Sequence, residues 1–344
     1  MNTKTLALAA TALAATFAVS GAANAQTRDQ IRIVGSSTVF PFTSAVAETF
    51  GRDGKFKTPV VESTGTGGGM KLFCGGVGLE HPDVTGASRR IKKSELENCA
   101  ANGVQDVTEM KIGFDGIVVA NSKDAPQAGF TIPQIWQALA KTVPVDGKLV
   151  ENPYKNWSDI DPSLPNVAIE VYGPPPTSGT RDAFVELVME VGCEEFAEVE
   201  ALGKDEKKAV CSQVREDGGY VEAGENDNLI VQKLTSNPNA FGVFGYSFLD
   251  QNADRLQGST VGGVAPEYDA ISSGEYPVSR SLYVYVKNAH VGAVPGIREF
   301  VAEYTAERAM GEDGYLADKG LIALPEEERG QVRTQANSLT PLTM

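Results

Sequence analysis

The chain has 344 residues, and its 45 Asp and Glu against 30 Lys and Arg give it a formal net charge of −15 at pH 7. With 42% hydrophobic residues it is composed like a soluble globular protein, long enough for two domains of average size. The acidity argues against nonspecific nucleic-acid binding, which needs clustered Lys and Arg, and against binding to anionic membrane surfaces.

The first 25 residues have the organisation of a secretory signal peptide. Lys4 supplies the positive start, Leu6–Val19 form a short apolar segment, and Ala23-Asn24-Ala25 has the small-x-small pattern of a cleavage site. The apolar segment is short for a membrane span, and no later segment approaches the ~20 apolar residues that a span needs. We expect removal of residues 1–25, a periplasmic location and a mature charge of 29 minus 45, or −16.

After the cleavage site, short apolar strands alternate with helical patterns, which favours an α/β architecture with largely parallel strands. In the first part of the chain we expect strands at 31–34, 60–62, 83–87 and 111–120, and helices at 41–50 and from Met70 onwards. Ser94-Glu95-Leu96-Glu97 has the S-x-x-E form of a capping box, which predicts a further helix starting there.

The second part of the chain continues this alternation. Apolar residues at helical spacing and short apolar runs predict helices at 132–141, 181–191, 296–309 and 325–336, and strands at 167–172 and 282–286. The stretch from Glu216 to Asn228 is acidic and Gly-rich without the spacing of a calcium loop, so we expect a solvated surface loop there.

Four cysteines remain, and an even number in an exported chain is typical of disulfides. They allow three connectivities, and their spacing favours the two local pairs Cys74–Cys99 and Cys193–Cys211. A zinc site is the alternative, but it needs paired Cys or His spacings that neither His81 nor His290 supplies. We therefore expect disulfides, no metal site and two surface histidines.

Three segments share the order strand, Ser/Thr/Gly-rich turn, helix: Gly35–Thr38, Thr64–Gly69 and Thr177–Thr180. Each helix start presents N–H groups without intrahelical partners, Gly lets an anion approach the backbone, and Ser or Thr adds a hydroxyl donor. A single turn of this kind is an ordinary N-cap. Three of them at the carboxyl ends of strands indicate an anion site, because ligands of α/β sheets bind there.

Nucleotide and hydrolase motifs do not fit these turns. A P-loop started at Gly65 places Met70 where Gly is required and Leu72 where Ser or Thr must follow Lys71, and Met70 also breaks the dinucleotide fingerprint. The segment Thr177–Thr180 is not a G-x-S-x-G elbow. A phosphatase needs a nucleophile with a base, or two metals with their ligands, and neither pattern is present. We expect a binding protein without a cofactor rather than an enzyme.

Four segments that follow one another behind the signal peptide carry a family resemblance: GSSTVFPF (35–42), ESTGTGGGMK (62–71), TGASRR (85–90) and TSGTRDAF (177–184). Together with FGVFGYSF (241–248) and YPVSRSLYVYV (276–286), they resemble the PstS-type phosphate-binding proteins of ABC transporters. The resemblance covers nearly all of the mature chain. It implies an α/β type II periplasmic-binding-protein fold, with two lobes joined by two crossing hinge strands and one phosphate in the cleft. Lobe one would comprise 26–115 plus 282–344, and lobe two 116–281.

The resemblance also implies which residues contact phosphate. Matched position by position, they are Ser37, Thr38, the amide of Val39 or Phe40, Thr66 with Gly67 nearby, Ser88, Ser178, Gly179, Thr180 and Arg181. The Arg181 guanidinium is suited to bidentate contact with two phosphate oxygens. One subset of the family has its Arg a few residues before Ser-Gly-Thr, where this chain has Pro174.

The third contact departs from the best-known family pattern. Those members read Gly-Ala-Ser-Asp, and the Asp accepts the hydrogen of protonated phosphate, whereas this chain has Arg89 at the last position. Only a carboxylate or carbonyl can accept that hydrogen without adding a competing donor. Our hypothesis assigns the role to Asp115, and the alternative is that Asp115 only caps or forms an ion pair near the hinge. We interpret Arg89 as a second guanidinium on the anion, with a solvent-facing residue as the alternative.

The resemblance therefore implies a monomeric periplasmic receptor that binds inorganic phosphate and delivers it to the membrane permease subunits of an ABC transporter. Two alternatives remain open at this point. One is a receptor for a related tetrahedral oxyanion, arsenate or sulfate. The other is a protein of a different class, either a secreted phosphatase-like enzyme or an adhesive surface protein that reuses the fold.

Overall fold

The computed structural model describes residues 28–176, 178–224 and 227–343, so the expected signal peptide and Thr177 lie outside the described residues. Strands and helices alternate along this chain. The strands are β1 (Arg32–Gly35), β2 (Val60–Ser63), β3 (Val84–Ala87), β4 (Val107–Ser122), β5 (Gly129–Phe130), β6 (Thr142–Val145), β7 (Lys148–Glu151), β8 (Val171–Gly173), β9 (Tyr220–Glu222), β10 (Phe241–Gly245), β11 (Leu256–Gly258), β12 (Thr260–Val261) and β13 (Ser279–Lys287).

The helices surround the sheets, and the one that begins at Gly179 continues without a break through a π-helical segment, Val185–Met189, into a last short turn. Their bounds are α1 (Phe40–Arg52), α2 (Thr66–Phe73), α3 (Lys93–Ala101), α4 (Ile132–Leu139), α5 (Gly179–Phe184), α6 (Glu190–Gly192), α7 (Ala197–Glu200), α8 (Lys204–Ser212), α9 (Asp227–Ser236), α10 (Tyr246–Gln251), α11 (Tyr268–Ser273), α12 (Ile297–Tyr304), α13 (Glu307–Met310) and α14 (Glu326–Asn337). Across the described ranges, none of these helices has the length and hydrophobicity to cross a membrane.

The main sheet has the strand order β2-β1-β3-β13-β4-β10-β8-β9, and β11 also pairs with β4. Strand β1 pairs in parallel with β2 and β3, and β8 pairs in parallel with β9 and β10. The central strands β13 and β4 are antiparallel to each other and to their other neighbours. The expectation of largely parallel strands is therefore correct for the two flanks and wrong for the centre.

Strand β4 changes partners halfway along its length. Its residues 107–116 pair with β13, and its residues 117–120 pair with β10. The first group extends the sheet of β1, β2 and β3, whereas the second extends the sheet of β8 and β9. The molecule consequently has two α/β lobes, and β4 and β13 are the strands that cross between them, as the resemblance implied.

Both cysteine pairs that the spacing favoured are disulfides. Cys74, directly after α2, is bonded to Cys99 in α3, and Cys193, directly after α6, is bonded to Cys211 in α8. All four cysteines are buried. Each bond ties the end of one helix to a neighbouring helix, so the cysteines are not zinc ligands.

Two helix starts differ from their predicted positions. Helix α2 begins at Thr66 rather than at Met70, so most of the Gly-rich segment forms its first turn, and Gly65 precedes it with a φ of 71°. The capping box predicted at Ser94 is wrong, because α3 begins at Lys93 and the Glu95 carboxylate accepts the Lys92 amide at 2.8 Å. Only half of a capping box is present at Lys92, because the lysine side chain cannot accept and the Glu95 amide donates to the Lys92 backbone carbonyl instead.

Two expectations of surface position are also wrong. The segment predicted as a solvated loop contains β9, whose Tyr220 is buried against β8. His290 is 1% exposed rather than on the surface. Its Nδ1 lies 2.6 Å from Asp83 Oδ1 and its Nε2 lies 3.0 Å from the Val77 carbonyl, so hydrogen bonds offset the cost of burying the ring.

Candidate anion-binding site

Loop one, Ser36–Val39, connects β1 with α1. Ser36 fixes this loop, because its amide donates to the Gly86 carbonyl at 2.9 Å and its hydroxyl accepts the Val39 amide at 3.4 Å. Thr38 is 4% exposed, and the Val39 side chain is fully buried. Only the backbone of Val39 could therefore reach a ligand, and its N–H already has an acceptor in Ser36.

Loop two is the first turn of α2, and it contacts Ser88 in the segment that follows β3, which we call loop three. The Thr66 and Ser88 hydroxyl oxygens are 3.0 Å apart, and the Ser88 amide donates to Thr66 Oγ1 at 3.1 Å. Gly67 follows Thr66 in the first turn, where backbone N–H groups have no intrahelical acceptor. The structure thus brings together two of the expected residues, Thr66 and Ser88, that lie 22 positions apart in the sequence.

Loop four is the turn before α5, and Ser178 is its N-cap. The Ser178 hydroxyl accepts the Thr180 amide at 3.2 Å, which is the usual geometry of a capping serine. Gly179 and Thr180 form the first turn of the helix, so their amides lie at its positive end.

Arg181 is held at the side of this turn. Its Nη1 donates to the Pro174 carbonyl at 3.2 Å, and its guanidinium carbon lies 4.4 Å from the centre of the Tyr220 ring. The Tyr220 hydroxyl donates to the same carbonyl at 2.8 Å. Burial raises the pKa of Tyr220 to about 12. The phenol ring over which the Arg181 guanidinium lies is therefore neutral at physiological pH.

Loops one and four meet where Gly179 faces Ser37. A Cβ atom placed on Gly179 would lie 3.0 Å from the Ser37 carbonyl oxygen and 3.4 Å from Thr38 Cα. Loop one follows β1 of one lobe, and loop four follows β8 of the other. The two helix starts therefore contact each other across the division between the lobes.

Asp115 lies on β4 and is 8% exposed. Burial raises its pKa, and the charge of Arg280, its antiparallel partner on β13, opposes that rise. The distance from Arg280 Nε to Asp115 Oδ2 is 3.5 Å, and this carboxylate oxygen has no hydrogen-bond partner among the described residues. A buried oxygen of this kind can accept a hydrogen from a protonated anion.

Arg280 is a residue of this region that the sequence patterns did not single out. Its Nη2 donates to Thr38 Oγ1 at 2.6 Å, and its Nη1 contacts the Glu186 carboxylate. The available signal was a single cation in an apolar strand pattern, within a segment that carries the family resemblance. Its partners could not be inferred, because Thr38 and Glu186 lie 242 and 94 residues away.

The expectation of a second guanidinium at Arg89 is not supported by the geometry. Both terminal guanidinium nitrogens of Arg89, Nη2 and Nη1, donate to the Glu95 carboxylate, at 2.7 and 2.9 Å. The bonds to Glu95 raise the pKa of Arg89, and the side chain is 36% exposed. Glu95 stabilises the start of α3 and at the same time holds Arg89 beside it, so the solvent-facing alternative fits better.

The sequence of this chain is similar to those of known proteins. The PBP superfamily domain matches residues 20–308 of this chain. Protein SphX of Synechocystis sp. (strain PCC 6803) is 32% identical over 319 residues, which cover 90% of this chain and 82% of SphX. The phosphate-binding protein PstS of Staphylococcus saprophyticus is 28% identical over 310 residues, which cover 89% of this chain and 83% of that protein.

Solved structures show the same fold. The crystal structure of a possible phosphate binding protein from Planctomyces limnophilus superposes with a TM-score of 0.72 at 29% identity, covering 90% of this chain and 98% of that one. An ABC-type phosphate transport receptor from Vibrio cholerae superposes with a TM-score of 0.56 at 20% identity, covering 86% of this chain and all of that one. The second similarity supports the fold alone.

Proposed function

Because this chain belongs to the PBP superfamily and, within it, to the PstS-type phosphate-binding proteins, we propose that it binds inorganic phosphate between its lobes and delivers it to the permease of an ABC transporter. The mature protein acts as a monomeric periplasmic receptor, to which the permease subunits bind. It performs no chemical step, so this function needs no cofactor.

The contact of Gly179 with Ser37 is the observation that carries this proposal. It joins two helix starts from different lobes, and each start has amides and a hydroxyl suited to an anion. A buried anion must be almost fully hydrogen-bonded to offset its lost hydration, which requires donors from both sides. A receptor that closes on its ligand meets this requirement directly.

The division of the chain into lobes follows from the same proposal. We assign 26–115 plus 282–344 to lobe one and 116–281 to lobe two. The change of partners along β4, between residues 116 and 117, supports this boundary. Loops one and two and Ser88 then belong to lobe one, whereas Ser178 to Arg181 belong to lobe two.

The first test is calorimetric titration of the mature protein with phosphate, arsenate and sulfate, repeated with Arg181→Ala. We expect wild type to bind phosphate, and the variant to bind it roughly 10- to 100-fold more weakly, because hydrogen bonds to charged groups contribute about 1.5–3 kcal/mol. Arg333→Ala, on the C-terminal helix α14, is the control for loss of a cation. Full phosphate affinity in Arg181→Ala would contradict the assignment of loop four.

Asp115 has a separate role in this proposal, namely to accept the hydrogen of protonated phosphate. Its burial and the absence of a hydrogen bond to Oδ2 among the described residues support the role, since fully ionised sulfate has no hydrogen to offer and its charge would be repelled by the carboxylate. Asp115→Asn should therefore bind phosphate more weakly and sulfate no more weakly than wild type. Unchanged discrimination between the two anions in the titration would rule out this role and leave Asp115 as an ion-pair partner.

A further inference from the structure

Arg280 occupies an unusual position for an arginine in a central strand. It lies on the crossing strand β13, opposite Asp115 on the other crossing strand, and its side chain is 11% exposed. From there it reaches both lobes, with Nη2 on the Thr38 hydroxyl of loop one and Nη1 on Glu186. One side chain thus connects both hinge strands, loop one and the helix that follows loop four.

The guanidinium of Arg280 has donors to spare. It carries five N–H groups in a fixed plane, and the contacts with Thr38 and Glu186 use one on each terminal nitrogen. Its Nε is buried and forms no hydrogen bond among the residues that the structure describes, because Asp115 Oδ2, its ion-pair partner at 3.5 Å, is not aligned to accept one. A buried N–H without an acceptor is costly, so a ligand oxygen at this position would remove a penalty as well as form a charged hydrogen bond.

The location of these spare donors matches the place where the loops meet. Thr38, which accepts from Nη2, is also the residue whose Cα lies beside Gly179 of loop four. Glu186, which holds Nη1, lies in the π-helical segment that continues α5. Such widened turns are frequent at functional sites, because they redirect the side chains that follow.

We propose that Arg280 is the second guanidinium of the anion site, and that Glu186 positions it so that anion binding and the contact between the lobes stabilise each other. The inference rests on the proposed function and adds two residues to it. Arg280 is the group that touches the anion, whereas Glu186 is a positioning residue that acts through Arg280. The alternative is an ion-pair network that only stabilises the hinge.

The test measures phosphate affinity by calorimetry and, separately, the melting temperature of each variant without phosphate. The variants are Arg280→Gln, Arg280→Lys, Glu186→Gln and the double variant Arg280→Gln/Glu186→Gln, with Arg333→Gln as the matched control. We expect Arg280→Gln to weaken phosphate binding at least tenfold, the range for a lost charged hydrogen bond, and Arg280→Lys to restore part of the affinity. Arg333→Gln should bind as wild type does.

The double variant separates positioning from an independent contribution. If Glu186 acts only through Arg280, Glu186→Gln weakens binding less than Arg280→Gln does, and the double variant is no weaker than Arg280→Gln. Additive losses would overturn the positioning role of Glu186. If Arg280→Gln does not fold, Arg280→Lys and Glu186→Gln still test the role of Arg280. The first keeps a positive charge at position 280, and the second keeps the Arg280 guanidinium itself.

The remaining outcomes distinguish the two levels of the proposal. If wild type binds no phosphate, the proposed function fails and the inference fails with it. If wild type binds phosphate while Arg280→Gln binds with unchanged affinity and only melts at a lower temperature, the proposed function stands. In that case Arg280 is a structural residue and the inference is wrong.

Discussion

Gly179 is the residue at which the smallest chemical change tests the contact between the lobes. An added methyl would lie 3.0 Å from the Ser37 carbonyl oxygen, which is backbone and cannot rotate away. We expect Gly179→Ala to weaken phosphate binding about tenfold, since overpacking costs roughly 1–3 kcal/mol. Calorimetric titration measures this loss.

Gly330 is the matched control for Gly179. It lies in α14, and a Cβ placed there meets nothing within 4 Å. Gly330→Ala should leave phosphate affinity unchanged and raise the free energy of unfolding by ~0.5–1 kcal/mol, because alanine is the better helix residue. Equal phosphate affinities for Gly179→Ala and Gly330→Ala would show that the loops separate without loss of binding.

Lys287 leads to a prediction about how the stability of the protein depends on pH. Its Nζ donates to the Gly76 carbonyl at 2.6 Å, and burial lowers its pKa to about 8 from the ordinary lysine value of 10.5. Between these two values the unfolded chain holds a proton that the folded chain has lost, so the free energy of unfolding rises with pH. The cost of burying the charge is present below pH 8.

Lys287→Met removes this titration while keeping a chain of similar length. Between pH 7 and pH 10, the free energy of unfolding of wild type should rise by roughly 2 kcal/mol relative to that of the variant. Urea unfolding at several pH values in this range measures the shift. A constant difference would mean that Lys287 titrates in the folded protein as it does in the unfolded chain.

Among single residues, the sequence identified which types could bind an anion but not which partners they have. Ser88 and Thr66 were expected and lie together, whereas Arg89 was expected on the anion and is bonded to Glu95. Ion pairs depend on residues brought close by the tertiary fold. Arg280 was therefore recognisable only once the register of the two crossing strands was known.

Among elements, the strands and helices with strong periodicity were predicted to within a few residues. The exact residue at which a helix begins was predicted less accurately. Helix α2 begins four residues before the expected Met70, and its Gly69 lies so close to β1 that a Cβ there would be 2.5 Å from Gly35 Cα, so tertiary packing requires a glycine that helix propensity disfavours. Strand β9 was missed, since three residues among acidic and Gly-rich neighbours carry too little pattern. Its pairing with β8 is a tertiary contact.

The disulfide Cys193–Cys211 leads to a prediction at the element scale. It joins the end of the helix that starts at loop four to α8, across 18 residues of sequence. Replacing both cysteines with alanine should lower the free energy of unfolding by about 3 kcal/mol, the cost of releasing a loop of this size in the unfolded chain. Urea unfolding without reductant measures it, and the pair Cys74→Ala/Cys99→Ala should give a similar loss. A change below about 1 kcal/mol would contradict the chain-entropy explanation.

The two-lobe architecture of the whole molecule followed from the family resemblance, not from periodicity. Alternating strands and helices predicted an α/β protein, but nothing in the pattern showed that β4 would serve both lobes. A 16-residue buried strand is compatible with one large sheet as well as with two lobes. Only its change of partners distinguishes these arrangements.

The charge of the whole molecule raises the question of how an acidic protein attracts an anion. Exposed charges farther than about 8–10 Å from the site are largely screened at physiological ionic strength, so the formal charge of −15 acts weakly at the cleft. Helix starts, hydroxyls and one or two guanidinium groups act at contact distance instead. The site can thus be locally positive in a negative surface.

Phosphate affinity should consequently depend little on salt. Between 20 and 300 mM NaCl we expect the Kd to change by less than about threefold. Added ions screen both the repulsion of phosphate by the distant acidic residues and its attraction by the groups around the site, and these two effects oppose each other. Calorimetric titrations at four NaCl concentrations measure this dependence. A control is Glu326→Gln/Glu327→Gln in the exposed first turn of α14, which reduces the negative charge without touching the loops. A steep dependence on salt, or a marked gain of affinity in that variant, would show that the global charge acts on the anion after all.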